Sequence, residues 1–255
     1  MQNYHKHTSY SNIFIADSAA SLKEYAKRAV ELGHKVISSV EHYWQGYYYE
    51  AYELAKEYDL KFIFGAEAGW VKDRTSNDRT RCHIILLARN ENGRQAINNI
   101  LSEANLTGYY YVPRIDIDLL LSLPPEDVFV TSACVAFWKY DDADDVVLKL
   151  HDHFKDNFML EIQYHNTQKQ AQLNKHILNL SKKYGIKMIV GLDSHYILES
   201  DAWKRDDILT AKGIHYEDED GWYMDYPDDE IIMNRFLDQK VFTREQIQEA
   251  MDNTD

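Results

Sequence analysis

The sequence is short of several things that would send its reading elsewhere. Only two of its 255 residues are cysteines, Cys82 and Cys134. Two thiols cannot staple a domain of this length, so a disulfide scaffold is excluded and a reducing cytoplasm is the simplest home. Basic charge is scarce: 28 Lys+Arg stand against 42 Asp+Glu, a formal charge of −14. A surface of that sign does not grip nucleic acid or an anionic membrane over its whole area, although a local basic groove stays compatible with it. There is no run of about 18 apolar residues, so no membrane contact is expected, and the first residues lack the basic-then-apolar order of a signal peptide. With 4 prolines and 10 glycines there is no linker-like or low-complexity stretch, and no repeat is visible. What is left is length enough for one large α/β domain with a sizeable core.

What is present is alternation. Short β-rich runs recur at Lys35–Val40 (KVISSV), Lys61–Gly65 (KFIFG), Cys82–Ala88 (CHIILLA), Val128–Ser132 (VFVTS), Phe158–Gln163 (FMLEIQ) and Lys187–Gly191 (KMIVG). The residues around His5 make a seventh. Helical patterns separate most of them, such as 21–33 and 169–185, each closed by a glycine. This alternation predicts a largely parallel sheet, and seven strands suggest barrel-like closure. One interval breaks the rule. Between Glu67 and His83 no helix is legible, which predicts a hairpin and an antiparallel strand at Cys82–Ala88. The last sixty or so residues are acidic, aromatic and weakly periodic.

Two histidines stand one residue apart near the start, in YHKHTSYSN. On a strand, residues i and i+2 share a face, so His5 and His7 would converge as metal ligands do. His151 and His153 have the same spacing, but VVLKLHDHFKD reads as a helix, where such a pair diverges and forms a solvated face. The other strand ends support the first pair. His42 follows KVISSVE, Glu67 ends KFIFGAE, Cys134 ends VFVTSAC, and Asp193 and His195 follow KMIVG. Each lies just past a strand C-terminus, the rim where barrel enzymes carry their sites. The hairpin returns His83 to that rim beside Glu67. Cys82, one residue away, points into the helix layer and packs there. Asp17, in the loop after the first strand, completes the set.

The ordered series HxH, EH, GAEAG, CHIILL, SAC and DSH resembles the PHP (polymerase and histidinol phosphatase) domain. CHIILLARNENGRQAINNILSEAN, GYYYVPRIDIDLL, VTSAC, LEIQYHN and GLDSHYILESDAWKRDDILTAKG are similar to the N-terminal region of bacterial DNA polymerase III α subunits. The resemblance spans nearly the whole chain. It implies a distorted seven-stranded β/α barrel over residues 1–197, and an acidic C-terminal extension over 198–255 that leads toward polymerase domains absent from this chain. It implies metal ligands at His5, His7, Asp17, His42, Glu67, His83, Cys134, Asp193 and His195, with Glu67, Asp193 and His195 as the catalytic members. Two to three divalent ions are expected, zinc or manganese first, with magnesium and iron also admissible. Cys134 as a thiolate favours a borderline-soft metal such as zinc. Asp17, Glu67, Asp193 and the thiolate bring four negative charges to the six of three divalent ions, leaving a cationic site that attracts a phosphodiester. The implied chemistry is metal-assisted hydrolysis at a DNA 3′ end in the proofreading direction. A stand-alone phosphatase of the histidinol-phosphatase type, acting on another phosphate ester, and a non-catalytic module of the polymerase are the alternatives.

Other features are softer. KDRTSNDRTR carries Lys72, Arg74, Arg79 and Arg81, which either track a nucleic-acid backbone or form a solvated hairpin tip. GYYYEAYE and GYYYVPR offer rings for bases, but read as packing clusters. Glu41 reads as exposed, with a role behind His42 as the alternative. His165 follows a strand and faces the rim. His34, His176 and His215 have no constellation around them. The run 216–230, with eight carboxylates and no base, reads as an exposed extension or a face for a following domain.

Overall fold

The computed structural model describes residues 1–80, 82–216, 219 and 221–255. Strand and helix alternate as expected: α1 (Leu22–Glu31), β1 (Val36–Ser39), α2 (Tyr48–Glu57), β2 (Lys61–Trp70), β3 (Cys82–Ala88), α3 (Glu91–Thr107), β4 (Arg114–Ile115), α4 (Ile117–Leu121), β5 (Val128–Thr131), α5 (Ala143–Phe154), β6 (Phe158–Ile162), α6 (Gln168–Tyr184), β7 (Met188–Val190), α7 (Ala202–Lys212), α8 (Asp229–Asp238) and α9 (Arg244–Asp252). Local chemistry sets the limits. Ser21 and Glu24 form a reciprocal capping box at the start of α1, and Leu22, Tyr25, Ala26 and Ala29 bury one face of it. Helix α6 ends at Gly185, whose φ of +70° admits the left-handed turn that a side chain would strain.

The sheet runs β1-β2-β3-β5-β6-β7, with β4 paired to β2 off this path. Neighbours are parallel except around β3, which is antiparallel to both β2 and β5. The expected hairpin is therefore present. It also lengthens β2, so that Glu67 lies inside the strand rather than past its end. Residues His83, Ile85 and Leu87 share one face of β3. Ile85 and Leu87 join Tyr4, Val40, Ala133, Met159 and Ile189 in a small inner cluster, while Cys82, Ile84 and Leu86 join the main core between sheet and helices. Each fully buried Leu or Ile there is worth about 1.5–3 kcal/mol.

Seven strands are present, but one differs from the expected set. The segment around His5 is no strand. It makes a single parallel bridge, Lys6 to Ser194, beyond β7. On its other side Ser38 Oγ donates to the Tyr4 carbonyl at 2.6 Å, and buried Lys6 Nζ donates to Ser38 Oγ at 2.6 Å. Side chains thus take the place of a ladder at the seam, and the curled sheet is a half-barrel. The seventh strand is β4, two residues too short to show a period. Its buried Arg114 donates to the carbonyls of Gly108, Asp78, Arg74 and Ser76 at 2.6–2.9 Å. The loop after β2 is thereby tied down to the sheet.

The acidic run is not an exposed extension. Among its described residues, Met224, Asp225, Tyr226 and Pro227 are buried. Asp225 is paired with Arg235 at 2.6 Å, and the Tyr226 hydroxyl meets His34 Nδ1 at 2.7 Å. One of its acids, Asp225, is therefore buried with its aromatics, while Asp228, Asp229 and Glu230 are exposed. Glu217, Asp218 and Asp220 lie outside the described residues. Helices α8 and α9 then add Ile232, Phe236, Ile247 and Met251 to the main core. Among the described residues no helix is long and apolar enough to cross a membrane.

Candidate metal centre

The nine residues singled out by the sequence come together at one end of the curl. His5 and His7, on the seam segment, bring their Nε2 atoms to 3.4 Å of each other and each to 3.2 Å of Asp193 Oδ1. Asp193 also stands 3.2 Å from His195 Nε2. Glu67 lies between four imidazoles: His42 Nδ1 at 2.5 Å, His83 Nδ1 at 3.0 Å, His7 Nε2 at 3.5 Å and His5 Nε2 at 3.6 Å. Cys134 Sγ is 3.6 Å from His83 Nδ1. Asp17 joins at the edge, 3.3 Å from His195 Nδ1 and 3.8 Å from His42 Nε2.

Three overlapping triads have ligand atoms within 4.8 Å of one another: His5–His7–Asp193, His7–His42–Glu67 and Glu67–His83–Cys134. Asp17 and His195 flank them. Both oxygens of Glu67 and both ring nitrogens of His42 are buried without a hydrogen bond of proper geometry, despite their closeness. Buried polar atoms are normally satisfied, and leaving one unpaired costs about 1–3 kcal/mol. Lone pairs converging on a common point are what a divalent cation requires, so the donor set fits divalent ions.

The electrostatics agree. Burial works against protonated His42, but Glu67 and Asp17 outweigh it and push its pKa up to about 10. Burial likewise opposes protonated His195, and Asp17 and Asp193 lift it to about 9. His7 goes the other way, down to about 3, through burial and the neighbouring His42. Burial disfavours ionised Glu67, yet His83, His42 and His7 hold its carboxyl well below the usual range. Burial pushes the Cys134 thiol well up, with Asp193 and Glu67 adding to it. Protons stand in for positive charge here, and a cation would displace them.

The site has a supporting layer that sequence reasoning largely missed. Fully buried Glu161 accepts from Tyr4 OH, Thr131 Oγ1 and Gln163 Nε2 at 2.8–2.9 Å and meets His5 Nδ1 at 2.7 Å, which turns His5 Nε2 toward Asp193. The signal was one acid inside the apolar run FMLEI. Gly191 leaves it room: a Cβ there would stand 2.0 Å from Glu161 Oε1. Glu41 is buried rather than exposed, because it accepts from the Thr8 amide at 3.0 Å, Thr8 Oγ1 at 2.8 Å and Ser11 Oγ. Ser11 Oγ in turn lies 3.1 Å from His7 Nδ1, so the role behind a ligand falls to His7 instead of His42. Ser18 Oγ meets His195 Nδ1 at 3.0 Å. His165 is buried and lies 3.1 Å from Gln163 Oε1. Three residues at or beside ligands have left-handed backbone without being glycine: Tyr43 (φ +68°), Ala133 (φ +47°) and Asp193 (φ +49°).

The ligands open into a cavity of about 730 Å³, bordered also by Trp138, Lys139, Lys169, Arg205, His215 and Trp222. His215 thus stands at the mouth, where no constellation was expected for it. Arg205 is buried, 2.6 Å from Glu219 Oε2 and 3.9 Å from Asp17 Oδ2. A larger groove of about 820 Å³, bordered by Tyr48, Tyr49, Tyr52, Phe62, Phe64 and Arg94, holds none of these ligands. The chemistry belongs to the smaller cavity.

The basic loop engages its own chain. Lys72 pairs with Asp142 at 2.8 Å, Arg74 with Asp116 at 2.7 Å, and Arg79 donates to Tyr111 OH at 2.5 Å while lying over that ring. Arg81 lies outside the described residues. His151 and His153 sit on α5 as expected but are half-buried rather than solvated, and His153 Nε2 bonds the Leu123 carbonyl at 2.9 Å.

Residues 3–165 match the PHP domain, a stretch that contains seven of the nine candidate ligands. The chain belongs to the PHP domain family. Among curated proteins it is 29% identical over 218 residues to "DNA polymerase III subunit alpha" of Aquifex aeolicus, and 31% over 221 residues to the protein of that name from Campylobacter jejuni. Each alignment covers 78% of this chain and 18% of the relative. "DNA-directed DNA polymerase" of Bacillus phage SPbeta is 27% identical over 286 residues, covering 89% and 22%. This PHP chain therefore spans about a fifth of the length of these relatives. A solved structure described as a putative metal-dependent phosphoesterase of Bifidobacterium adolescentis superposes with a TM-score of 0.52 at 14% identity, covering 92% of this chain and 96% of that one. At that identity the likeness establishes the fold.

Proposed function

We propose that this PHP domain is a metal-dependent phosphoesterase that hydrolyses phosphodiester bonds at a DNA 3′ end, as part of a polypeptide of the polymerase III α kind. The observation that carries the reading is the convergence of three ligand triads around Glu67 and His42, whose buried carboxylate oxygens and ring nitrogens have no well-formed hydrogen bond. Divalent ions bound there would lower the pKa of a coordinated water toward about 7 and polarise the phosphoryl oxygens.

The chain's own residues do the positioning. Glu67, common to two triads, would serve as a ligand in both. Asp193 links the His5–His7 side to His195. Glu161 and Ser11 hold the far nitrogens of His5 and His7, leaving the Nε2 atoms for the ions. Cys134 needs a cation to ionise, since burial keeps its thiol protonated. Arg205 keeps a fixed positive charge beside Asp17. Lys72, Arg74 and Arg79 are candidates for guiding the strand once freed from their present partners.

The test is hydrolysis of a 5′-labelled single-stranded oligonucleotide with manganese or zinc, beside the Asp193→Asn variant. Stepwise shortening from the 3′ end, lost in the variant, is expected. A cavity of about 730 Å³ also suits a small phosphate ester. Rapid phosphomonoester cleavage with DNA left intact under every metal tried would establish that reading instead. A full metal complement with no hydrolysis would establish a structural module.

A further inference from the structure

The cavity at the metal ligands has an aromatic wall that the phosphate chemistry does not use. Trp222 borders it, and its indole is fixed from behind. The ring lies parallel to that of His165, with centroids 4.4 Å apart and planes 7° apart. Buried His165 contacts Gln163, Gln163 donates to Glu161 at 2.9 Å, and Glu161 meets His5 at 2.7 Å. One run of side chains therefore joins a candidate ligand to the back of the indole.

The backbone is fastened as well. The Asn166 amide donates to the Gly221 carbonyl at 3.0 Å, the Trp222 amide to that of Glu219 at 3.0 Å, and the His195 amide to that of Met224 at 2.8 Å. The other tryptophan of the cavity is placed differently. Trp138 meets Phe137 and His176 edge-on, at 67° and 88°, with no ring stacked on it among the described residues.

We propose that Trp222 is the platform on which the base of the terminal nucleotide stacks while its phosphate lies at the metal ligands. The proposal rests on the phosphoesterase reading above and names what that site recognises: a nucleotide, through its base. Stacking on an aromatic face tolerates every base, as an end-processing site requires, and a ring already immobilised loses little freedom on binding.

The test is calorimetric titration of the manganese-loaded chain with dAMP and with deoxyribose 5-phosphate, which carries the same phosphate without a base. The wild-type chain should prefer dAMP by about five- to hundredfold, the range set by one base–aromatic stack. In Trp222→Ala the preference should collapse to within about twofold, and Trp222→Phe should keep part of it. Trp138→Ala should keep it whole. Melting curves of each variant check that it folds, and the phenylalanine variant preserves the test if alanine does not. No preference in the wild type, a preference unchanged in Trp222→Ala, or its loss in Trp138→Ala would each overturn the platform. Hydrolysis of DNA is measured separately. A base preference without hydrolysis removes the phosphoesterase reading and keeps the platform, and hydrolysis without preference does the reverse.

Discussion

Glu67 and Glu161 are both buried inside the curled sheet, within reach of the same imidazole of His5, and they are held in opposite ways. Glu161 has donors for both oxygens from Tyr4, Thr131 and Gln163, besides His5. Among the described residues Glu67 is paired with ring nitrogens, and neither of its oxygens has a well-formed hydrogen bond. The difference separates a carboxylate that is complete without metal from one that is not. A buried acid with all its partners is suited to orienting a neighbour; a buried acid without them is open to a cation.

The sharpest break of this comparison is Glu67→Gln. It removes the charge shared by two triads, so metal content by elemental analysis should drop by at least one ion per chain and any phosphoesterase activity should reach background. Retention of the full complement would show that Glu67 is not a ligand. Glu161→Gln should be milder. His5 loses its anionic partner but keeps its place, and metal affinity in a competition titration should fall by about 10–100-fold. Equal losses in the two variants would erase the distinction between orienting and coordinating acids.

The third test uses pH. With chelator present, His42 and His195 stay protonated in the folded chain up to about 10 and 9, against about 6.5 when unfolded. Groups raised in this way contribute stability that is complete below about pH 6.5 and is lost as pH rises through 9 and 10. His7, held down to about 3, acts on the other side and takes stability away as pH falls below about 6.5. The melting temperature of chelated protein should therefore fall between pH 6.5 and 10, and the fall should largely vanish with metal bound, because ligating imidazoles carry no proton. A chelated melting temperature that stays flat over this range would contradict the charge assignment. The smallest effect is expected on α5. His153→Ala should cost about 1 kcal/mol in denaturant unfolding through its bond to Leu123, and leave metal content unchanged.

Much of this was legible because ligands must share a face. The i, i+2 rule picked out His5 and His7 although their segment makes only one bridge, since extended backbone directs side chains alternately with or without a ladder. The missing helix between Glu67 and His83 gave the antiparallel strand. What stayed hidden depends on distant partners. Glu41 looks exposed until Thr8 and Ser11 are brought to it, and nothing in YEDEDGWYMDYPDDE shows Asp225 meeting Arg235 or Tyr226 meeting His34. Strand β4 has two residues, and periodicity needs more. Nothing in GYYYVPR shows Arg114 meeting four carbonyls.

The left-handed residues at the ligands set a limit on improving this protein. Each non-glycine residue in that conformation stores about 1–3 kcal/mol, and three of them, Tyr43, Ala133 and Asp193, adjoin or belong to the metal centre. Selection for thermostability alone would find glycine at Ala133 quickly, because it relieves the strain at no steric cost. The same change would loosen the approach of Cys134 to His83. Heat resistance and metal affinity should therefore pull this position in opposite directions, and a chain evolved for one should surrender part of the other.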